Sequence, residues 1–262
     1  MKKLCLLLIC TVILPVVVEA SSPDTLTIVT KSSQWSSILP NGGRLECNMN
    51  VAVPVNCAMV ENPFANWLAQ AAGEVMDLRE AKGEWLLTAL EGVFVKEGLT
   101  LKAAKDGKSF SMALDMDVKR VFEGEKLITF RANVVHYDAD GTRKEAVKEC
   151  SFLKQQSGSL NWSNIVKAKR NQKFNKAVVQ ALQGYFGVRD FDNLKLKLVN
   201  GNTINLDNFP LPKNGPAFES AGVRLNYNAG EICDALLGRP TALIPYSGLS
   251  GLLSPLAVKL LK

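Results

Sequence analysis

The imidazole of His136 is the side chain best suited to acid–base or metal chemistry, and it is the single histidine of the chain. Metal hydrolases hold their ion with two or three imidazoles, or with thiolates at close spacing, and a catalytic triad also needs a nucleophile beside its histidine. His136 follows Phe130, Ala132 and Val134 in strand phase, which places it on an apolar face. The pattern predicts a core or rim histidine, with no metal site, no cofactor and no catalytic residue.

Paired carboxylates offer a second kind of chemistry, because two acids that flank a glycosidic bond can act as acid and base in its hydrolysis. Asp115 and Asp117 point to the same face of a predicted strand. Alternating acids of this kind also keep a sheet face in contact with water. We therefore expect that the protein is not an enzyme. A hydrolase that acts on peptidoglycan or polysaccharide through carboxylates is the alternative.

Four polar-tipped side chains lie near the end of the chain: Tyr227, Glu231, Arg239 and Tyr246. The pattern around them predicts a strand, a short helix from Glu231 to Leu237 that ends at Gly238, and a second strand. Such a corner would gather the four side chains into a binding rim for a protein or a glycan. A structural role is the other interpretation, in which Glu231 caps the helix and the tyrosines pack with their hydroxyls in water.

The same region resembles a known family. The residues that carry the resemblance are Tyr227, Glu231-Ile232, Gly238, Pro245-Tyr246, Leu249 and Leu252-Leu253. Their spacing is similar to that in the C-terminal domain of unknown function that RsiV-type anti-sigma factors carry outside the membrane, and that accompanies PdaC-type peptidoglycan deacetylases. The resemblance extends from about Val51 to the end of the chain. It implies an RsiV-like, non-catalytic module whose partner is a protein such as lysozyme, because deacetylation in the multi-domain relatives belongs to a separate, histidine-rich domain.

Residues 1–20 have the pattern of a cleavable signal peptide. Lys2 and Lys3 precede an apolar run, and Val18-Glu19-Ala20 forms a small-residue cleavage site. No later apolar run is long enough to cross a bilayer. We therefore expect an exported bacterial protein, periplasmic or extracellular, without a transmembrane segment in the mature chain. The net charge of +6 suits anionic polymers of the cell envelope and gives no reason to expect a nucleic-acid partner.

Four cysteines follow the signal peptide: Cys47, Cys57, Cys150 and Cys233. None forms a CxxC pair, and each lies among apolar residues, which predicts small buried side chains. Export also permits disulfides, and the spacing does not decide between the two states.

Hydrophobic periodicity predicts the elements that must position these residues. Residues 21–43 predict a short first strand followed by a Ser-rich and Gly-rich connector. Residues 44–108 predict a half-buried strand and two helices. The first helix is expected to begin at Asn62-Pro63, as cap and first helical residue, and the second to end at Gly98.

Residues 109–262 are expected to form the C-terminal RsiV-like α+β domain. Alternation over residues 109–154 predicts an antiparallel meander of three strands. A helix that ends at Gly187 should follow. The leucines of residues 194–198 favour a hairpin with residues 204–206, and a helix there is the alternative.

These features together predict an α+β protein whose antiparallel sheets pack against helices, in two small subdomains that share an interface. The function that they favour is that of a secreted or periplasmic envelope protein which binds a protein or glycan without catalysis. The alternatives are the carboxylate hydrolase and a structural subunit of an envelope assembly.

Overall fold

The computed structural model describes residues 26–79, 86–101, 109–166 and 171–261. The fold is α+β, as predicted. The chain forms two compact units. Among the described residues, the first unit comprises 26–56, 65–79, 86–101, 109–119 and 132–146, and the second comprises 57–64, 120–131, 147–166 and 171–261. The predicted signal peptide lies outside the described residues.

Five strands form the larger sheet, in the order β1-β2-β3-β4-β5. They are β1 Thr27–Ile38, β2 Arg44–Val55, β3 Ser111–Glu123, β4 Leu127–Tyr137 and β5 Arg143–Leu153. β1 pairs with β2 in antiparallel orientation, whereas β2 pairs with β3 in parallel. This sheet is therefore mixed, and the expectation of antiparallel sheets throughout is wrong. A parallel pair needs a long crossover connection, and the segment between β2 and β3 contains two helices.

The meander predicted over residues 109–154 is confirmed as β3, β4 and β5. The turns between these strands are tight: the amide of Gly124 donates to Leu127 O and the amide of Asp138 donates to Thr142 O, each at 2.9 Å. Connections this short join antiparallel neighbours. The side chains of Met112, Leu114, Met116 and Val118 are buried along β3. Every second residue faces the core, which is why periodicity located the strand.

The first strand is longer than the sequence predicts. Periodicity indicates only a short strand near Leu26 and Ile28, but β1 continues to Ile38 through the Ser-rich stretch assigned to the connector. Its pairing with β2 runs from Thr27 opposite Val55 to Ile38 opposite Arg44. Because β1 lies at the edge of the sheet, hydrogen bonds to one neighbour fix it without a strong apolar pattern.

Helix α1, Ala58–Gly73, begins earlier than predicted and carries Pro63 inside it. Its first turn forms around Cys57, whose carbonyl accepts from the amides of Val60 and Glu61 at 2.9 Å each. The carboxylate of Glu61 accepts from the Cys57 amide at 2.7 Å. This local cap starts the helix before Asn62-Pro63, and the helix continues although proline lacks an N–H to donate.

Helix α2, Leu86–Thr100, belongs to the first unit and continues past the residue expected to end it. Gly98 is buried inside the helix, and a Cβ there would lie 2.9 Å from methyl groups of both Leu39 and Leu45. The glycine therefore allows close packing and does not end the helix. The ring of Phe94 contacts the ring of His136 edge-on, with centroids 5.7 Å apart, which places α2 over β4.

The second unit contains a three-stranded sheet in the order β6-β7-β8. Its elements are α3 Trp162–Ile165, α4 Asn171–Phe186, α5 Phe191–Lys195, β6 Ala217–Phe218, β7 Gly222–Asn226, β8 Thr241–Pro245 and α6 Pro255–Leu260. β7 is antiparallel to both neighbours, and α4 packs against β8. The buried core includes Phe174, Val178, Leu182, Val223, Leu225 and Ile244. α4 ends at Gly187, with φ of +64°, as predicted.

The predicted hairpin at residues 194–198 is wrong, and the helical alternative is correct only as far as Lys195, where α5 ends. The Asp190 side chain caps α5 by accepting from the amide of Asn193 at 2.8 Å. Leu194 is fully buried while Leu196 is 78% exposed, so these leucines do not share one face of a strand. Alternation in a short segment does not separate strand from helix, and the cap decided between them here.

The thiols of Cys47, Cys57, Cys150 and Cys233 are free, and all but that of Cys57 are buried. This agrees with the prediction of small buried side chains. None of the helices within the described ranges is both long and apolar enough to span a membrane.

Candidate ligand-binding site

The structure does not gather the four side chains predicted to form a rim into one site. Tyr227 follows β7 and is 2% exposed. Its hydroxyl donates to Pro210 O at 2.8 Å, and burial raises its pKa far above the ordinary value. Tyr246 is half-buried, and its hydroxyl donates to Glu219 O at 2.7 Å. Burial, and next the charge of Glu219, raise the pKa of Tyr246 to about 12. Both hydroxyls thus hydrogen-bond to backbone carbonyl groups of other chain segments.

Glu231 supports a loop. Its carboxylate accepts from the amide of Asn228 at 2.8 Å and from the amide of Lys213 at 2.6 Å. The helix predicted from Glu231 to Leu237 is wrong in its first half, since only Ala235–Leu237 form a 3-10 turn. Glu231 therefore links the segment around Lys213 to the turn that follows Asn228.

Arg239 and Tyr227 are brought together, since both line a cavity of about 370 Å³ in the second unit. We call it the arginine cavity. Its lining residues are Arg131, Val147, Glu149, Arg224, Asn226, Tyr227, Arg239, Pro240 and Thr241. Glu231 and Tyr246 are not among them. Polar groups that converge in a concave site are the usual mark of a ligand site.

A buried carboxylate fixes one side of the arginine cavity. Glu149 of β5 has a side chain that is only 2% exposed. Arg131 of β4 donates to its Oε1 through Nε, and Asn226 of β7 donates to its Oε2 at 2.6 Å. A carboxylate this deeply buried needs such donors, because burial without them costs several kcal/mol.

A second carboxylate fixes another guanidinium of the cavity. Arg224 donates to Glu219 through Nε and, at 2.8 Å, through Nη2, in the two-point arrangement typical of Arg–carboxylate pairs. Hydrogen bonding to Glu219 is the main cause that raises the pKa of Arg224. Arg131 Nη2 lies 3.5 Å from Glu219 Oε1, so one network joins Arg131, Glu219 and Arg224.

Guanidinium groups predominate among the charged side chains of the cavity. Three of them line it, from Arg131, Arg224 and Arg239, and the carboxylates of Glu149 and Glu219 bind two of these. The side chain of Arg131 is 43% exposed and that of Arg224 is 25% exposed, so both retain N–H groups that face solvent. Planar guanidinium groups bind carboxylates and phosphates in a bidentate manner.

Sequence reasoning missed most of this cavity. Arg131 interrupts a mostly apolar strand, and that interruption is the signal that could have marked it. Glu149 is one of several charged residues of β5 and carries no such signal. Nothing in the sequence joins them to Arg224, because the residues are far apart along the chain.

The other predicted chemistry lies in the first unit. Asp115 is exposed, and Asp117 forms an ion pair of 2.7 Å with Lys119 on the polar face of β3, as expected of acids on a solvated sheet. His136 is buried, which confirms that it points into the core. Glu97 and Asp138 lie next to it, and these three residues could hold a metal ion.

The fold and this cavity define an α+β protein with an arginine-lined cavity. No protein-family model matches the chain, and no curated protein matches it. Two of the solved structures that share its fold are DUF3298-family proteins. A DUF3298-family protein from Bacteroides fragilis NCTC 9343 aligns with a TM-score of 0.66 and 14% identity, over 92% of this chain and 99% of that chain.

The other structure is a DUF3298-family protein from Pseudomonas aeruginosa PAO1, with a TM-score of 0.55 and 14% identity, over 90% of this chain and 98% of that chain. The chain is thus similar in fold to members of a family that is itself a domain of unknown function. The RsiV-like assignment stays a prediction.

Proposed function

We propose that the protein is an exported, non-catalytic binding module of the bacterial cell envelope, and that it binds a carboxylate group of its ligand in the arginine cavity. The observation that supports this proposal is the convergence of three guanidinium groups on one polar cavity. Signal-peptide patterning and the net charge of +6 favour an anionic ligand in the envelope.

The internal carboxylates prepare the site for such a ligand. Glu149 holds Arg131, and Glu219 holds Arg224, so both guanidinium groups are fixed before a ligand arrives. A fixed arginine loses less side-chain entropy on binding than a free one does. The remaining N–H groups are then directed at an incoming acid.

The size and lining of the cavity favour a sugar acid. About 370 Å³ is near the lower end of small-ligand sites, which suits one monosaccharide unit of a longer chain. Asn226 and Thr241 add an amide and a hydroxyl to the lining, and these groups hydrogen-bond sugar hydroxyls well. We therefore propose that the ligand is an envelope glycan with carboxylate groups. The second candidate is an acidic or lysozyme-like protein.

Isothermal titration of the mature protein tests this proposal. The probes are a uronic-acid oligosaccharide, its carboxyl-reduced neutral form, an acidic peptide and lysozyme. We expect binding of the acidic oligosaccharide and none of the neutral form. Arg239→Gln should weaken binding at least about tenfold, the usual loss when a charged hydrogen bond is removed. The control is Arg189→Gln, which makes the same change of charge at an exposed residue outside the cavity.

The result decides between the proposed functions. Equal affinity for the acidic and neutral oligosaccharides, or equal effects of the two substitutions, would contradict carboxylate recognition in this cavity. Binding of lysozyme that Arg239→Gln leaves unchanged would support a protein partner at another surface. Cleaved oligosaccharide in the same sample, detected by mass spectrometry and lost in Glu149→Gln, would favour the carboxylate hydrolase.

A further inference from the structure

We propose that Glu97, His136 and Asp138 form a binding site for a divalent transition-metal ion such as Zn²⁺. Glu97 lies on α2, His136 on β4 and Asp138 in the turn that follows β4. One ligand atom from each residue lies within 4.8 Å of the other two. All three residues belong to the first unit, so this site is separate from the arginine cavity.

The imidazole of His136 is the main evidence for a ligand. It is 0% exposed, and neither ring nitrogen makes a hydrogen bond of normal geometry with the described residues. Asp138 Oδ1 lies 2.9 Å from Nδ1, and Glu97 Oε2 lies 3.5 Å from Nε2. The contact of Nδ1 with Asp138 is at hydrogen-bond distance, so Nε2 is the ring nitrogen that most clearly lacks a partner among the described residues. Native proteins rarely leave buried polar atoms unpaired, because burial without a partner is destabilising.

A bound cation would explain why a carboxylate faces a ring nitrogen of His136 that also carries a lone pair. A neutral imidazole carries one N–H, so at least one ring nitrogen presents a lone pair to a carboxylate that also offers only lone pairs. Protonation of the ring would remove this conflict. A metal ion bound by the neutral ring removes the conflict without protonation.

The spacing of His136 and Glu97 suits a tetrahedral ion. Zinc bonds to histidine nitrogen and carboxylate oxygen are about 2.0–2.2 Å long, and a tetrahedral angle between them sets the two atoms about 3.3 Å apart. The observed separation of Nε2 and Oε2 is 3.5 Å. A small movement of Glu97, whose side chain is 36% exposed, is therefore enough to place its oxygen and Nε2 around one ion. Asp138 lies beside Nδ1, so it must turn towards Nε2 to bind the same ion.

Lys144 forms an ion pair of 2.7 Å with Asp138 Oδ2, the oxygen that is not next to the ring, so Oδ1 faces the imidazole. Asp77, Arg79 and Lys96 line the cavity beside Glu97, so the nearby positive and negative charges balance, and the preference for a cation rests on the types of ligand. Imidazole with carboxylates suits zinc and similar transition metals better than calcium or magnesium, which prefer oxygen ligands alone.

An ion has a route to these ligands. Glu97 also lines a cavity of about 550 Å³, together with Asp77, Arg79, Val93, Lys96 and Thr100. Water in this cavity can complete the coordination shell. Glu97 therefore connects the buried imidazole to solvent.

Because His136 is the single histidine, its imidazole can be observed without interference. The experiment uses tag-free, ¹⁵N-labelled mature protein and follows the ring nitrogens by NMR during titration with ZnCl₂. We expect a new set of imidazole signals that saturates at one ion per chain and disappears with EDTA. CaCl₂ and MgCl₂ should leave the signals unchanged.

Matched variants identify the ligands. Glu97→Gln keeps the size of the side chain and should weaken zinc binding at least about tenfold. Glu91→Gln, on the same helix but outside the cluster, should bind like the unaltered protein. Circular dichroism without metal would show that both variants are folded.

Two results would overturn the proposal. One is an imidazole spectrum that does not change with zinc in large excess. The other is equal zinc affinity of folded Glu97→Gln and Glu91→Gln, which would place any bound ion elsewhere.

Discussion

Replacing Glu149 by glutamine tests whether the buried carboxylate organises the arginine cavity. Arg131 Nε donates to one oxygen of Glu149, and Asn226 Nδ2 donates to the other at 2.6 Å. Glutamine has the same shape but only one oxygen. In either orientation its NH₂ group must face one of two N–H donors, so one hydrogen bond is replaced by an unfavourable contact between donors.

The expected loss of stability is about 2 kcal/mol. An unsatisfied buried donor costs about 1–3 kcal/mol, and loss of a charged acceptor would add to this cost. The side chain of Arg131 is 43% exposed, so water can solvate its released charge, and we expect a loss below that of a fully buried ion pair. Glu145→Gln on the same strand is the control. Glu145 pairs with Arg143, whose side chain is 48% exposed, and an exposed pair contributes at most about 1 kcal/mol.

Urea denaturation followed by tryptophan fluorescence measures both variants. Glu149→Gln should lower the transition midpoint clearly more than Glu145→Gln, with an unchanged slope. The double variant with Arg131→Gln should lose less than the sum of the two single losses, because the residues interact directly. Equal midpoints for Glu149→Gln and Glu145→Gln, or additive effects in the double variant, would refute this account of the cavity.

Two further predictions concern the cores. Gly222→Ala should destabilise the second unit by at least about 2 kcal/mol, because a Cβ there would lie 2.1 Å from the backbone oxygen of Ile244. Calorimetry measures this loss, and Gly248→Ala is the control that is expected to have a milder effect. Burial raises the pKa values of Cys47 and Cys150 from 9.0 to about 12. Folding therefore favours the protonated thiols, and the stability that this adds is complete below pH 9 and is lost as the pH rises towards 12. Urea midpoints across this range should fall less steeply for the Cys47→Ala, Cys150→Ala variant, and an identical slope would show that other groups cause the loss.

The sequence alone determined most of the α+β fold. The alternation in β2 and β3 reflects one buried and one polar face, and this burial is decided residue by residue along the strand. The end of α4 at Gly187 was predictable for a similar reason, because the left-handed conformation there is a local property of glycine.

Other elements depended on contacts that the sequence does not show. The polar half of β1 is a strand because β2 pairs with it, and Gly98 lies inside α2 because Leu39 and Leu45 approach it closely. The start of α1 was set by the carboxylate of Glu61 and not by Asn62-Pro63. Propensity is weak compared with such contacts.

Only the tertiary structure decided what the candidate sites are. Sequence patterning selected Tyr227 and Arg239, but the cavity also needed Arg131 and Glu149 from β4 and β5, more than 70 residues earlier in the chain. In the same way, His136 became a possible ligand only when α2 brought Glu97 to it. Periodicity reports which side of an element is buried, whereas a site depends on which distant elements pack together, and that is fixed by the folded chain.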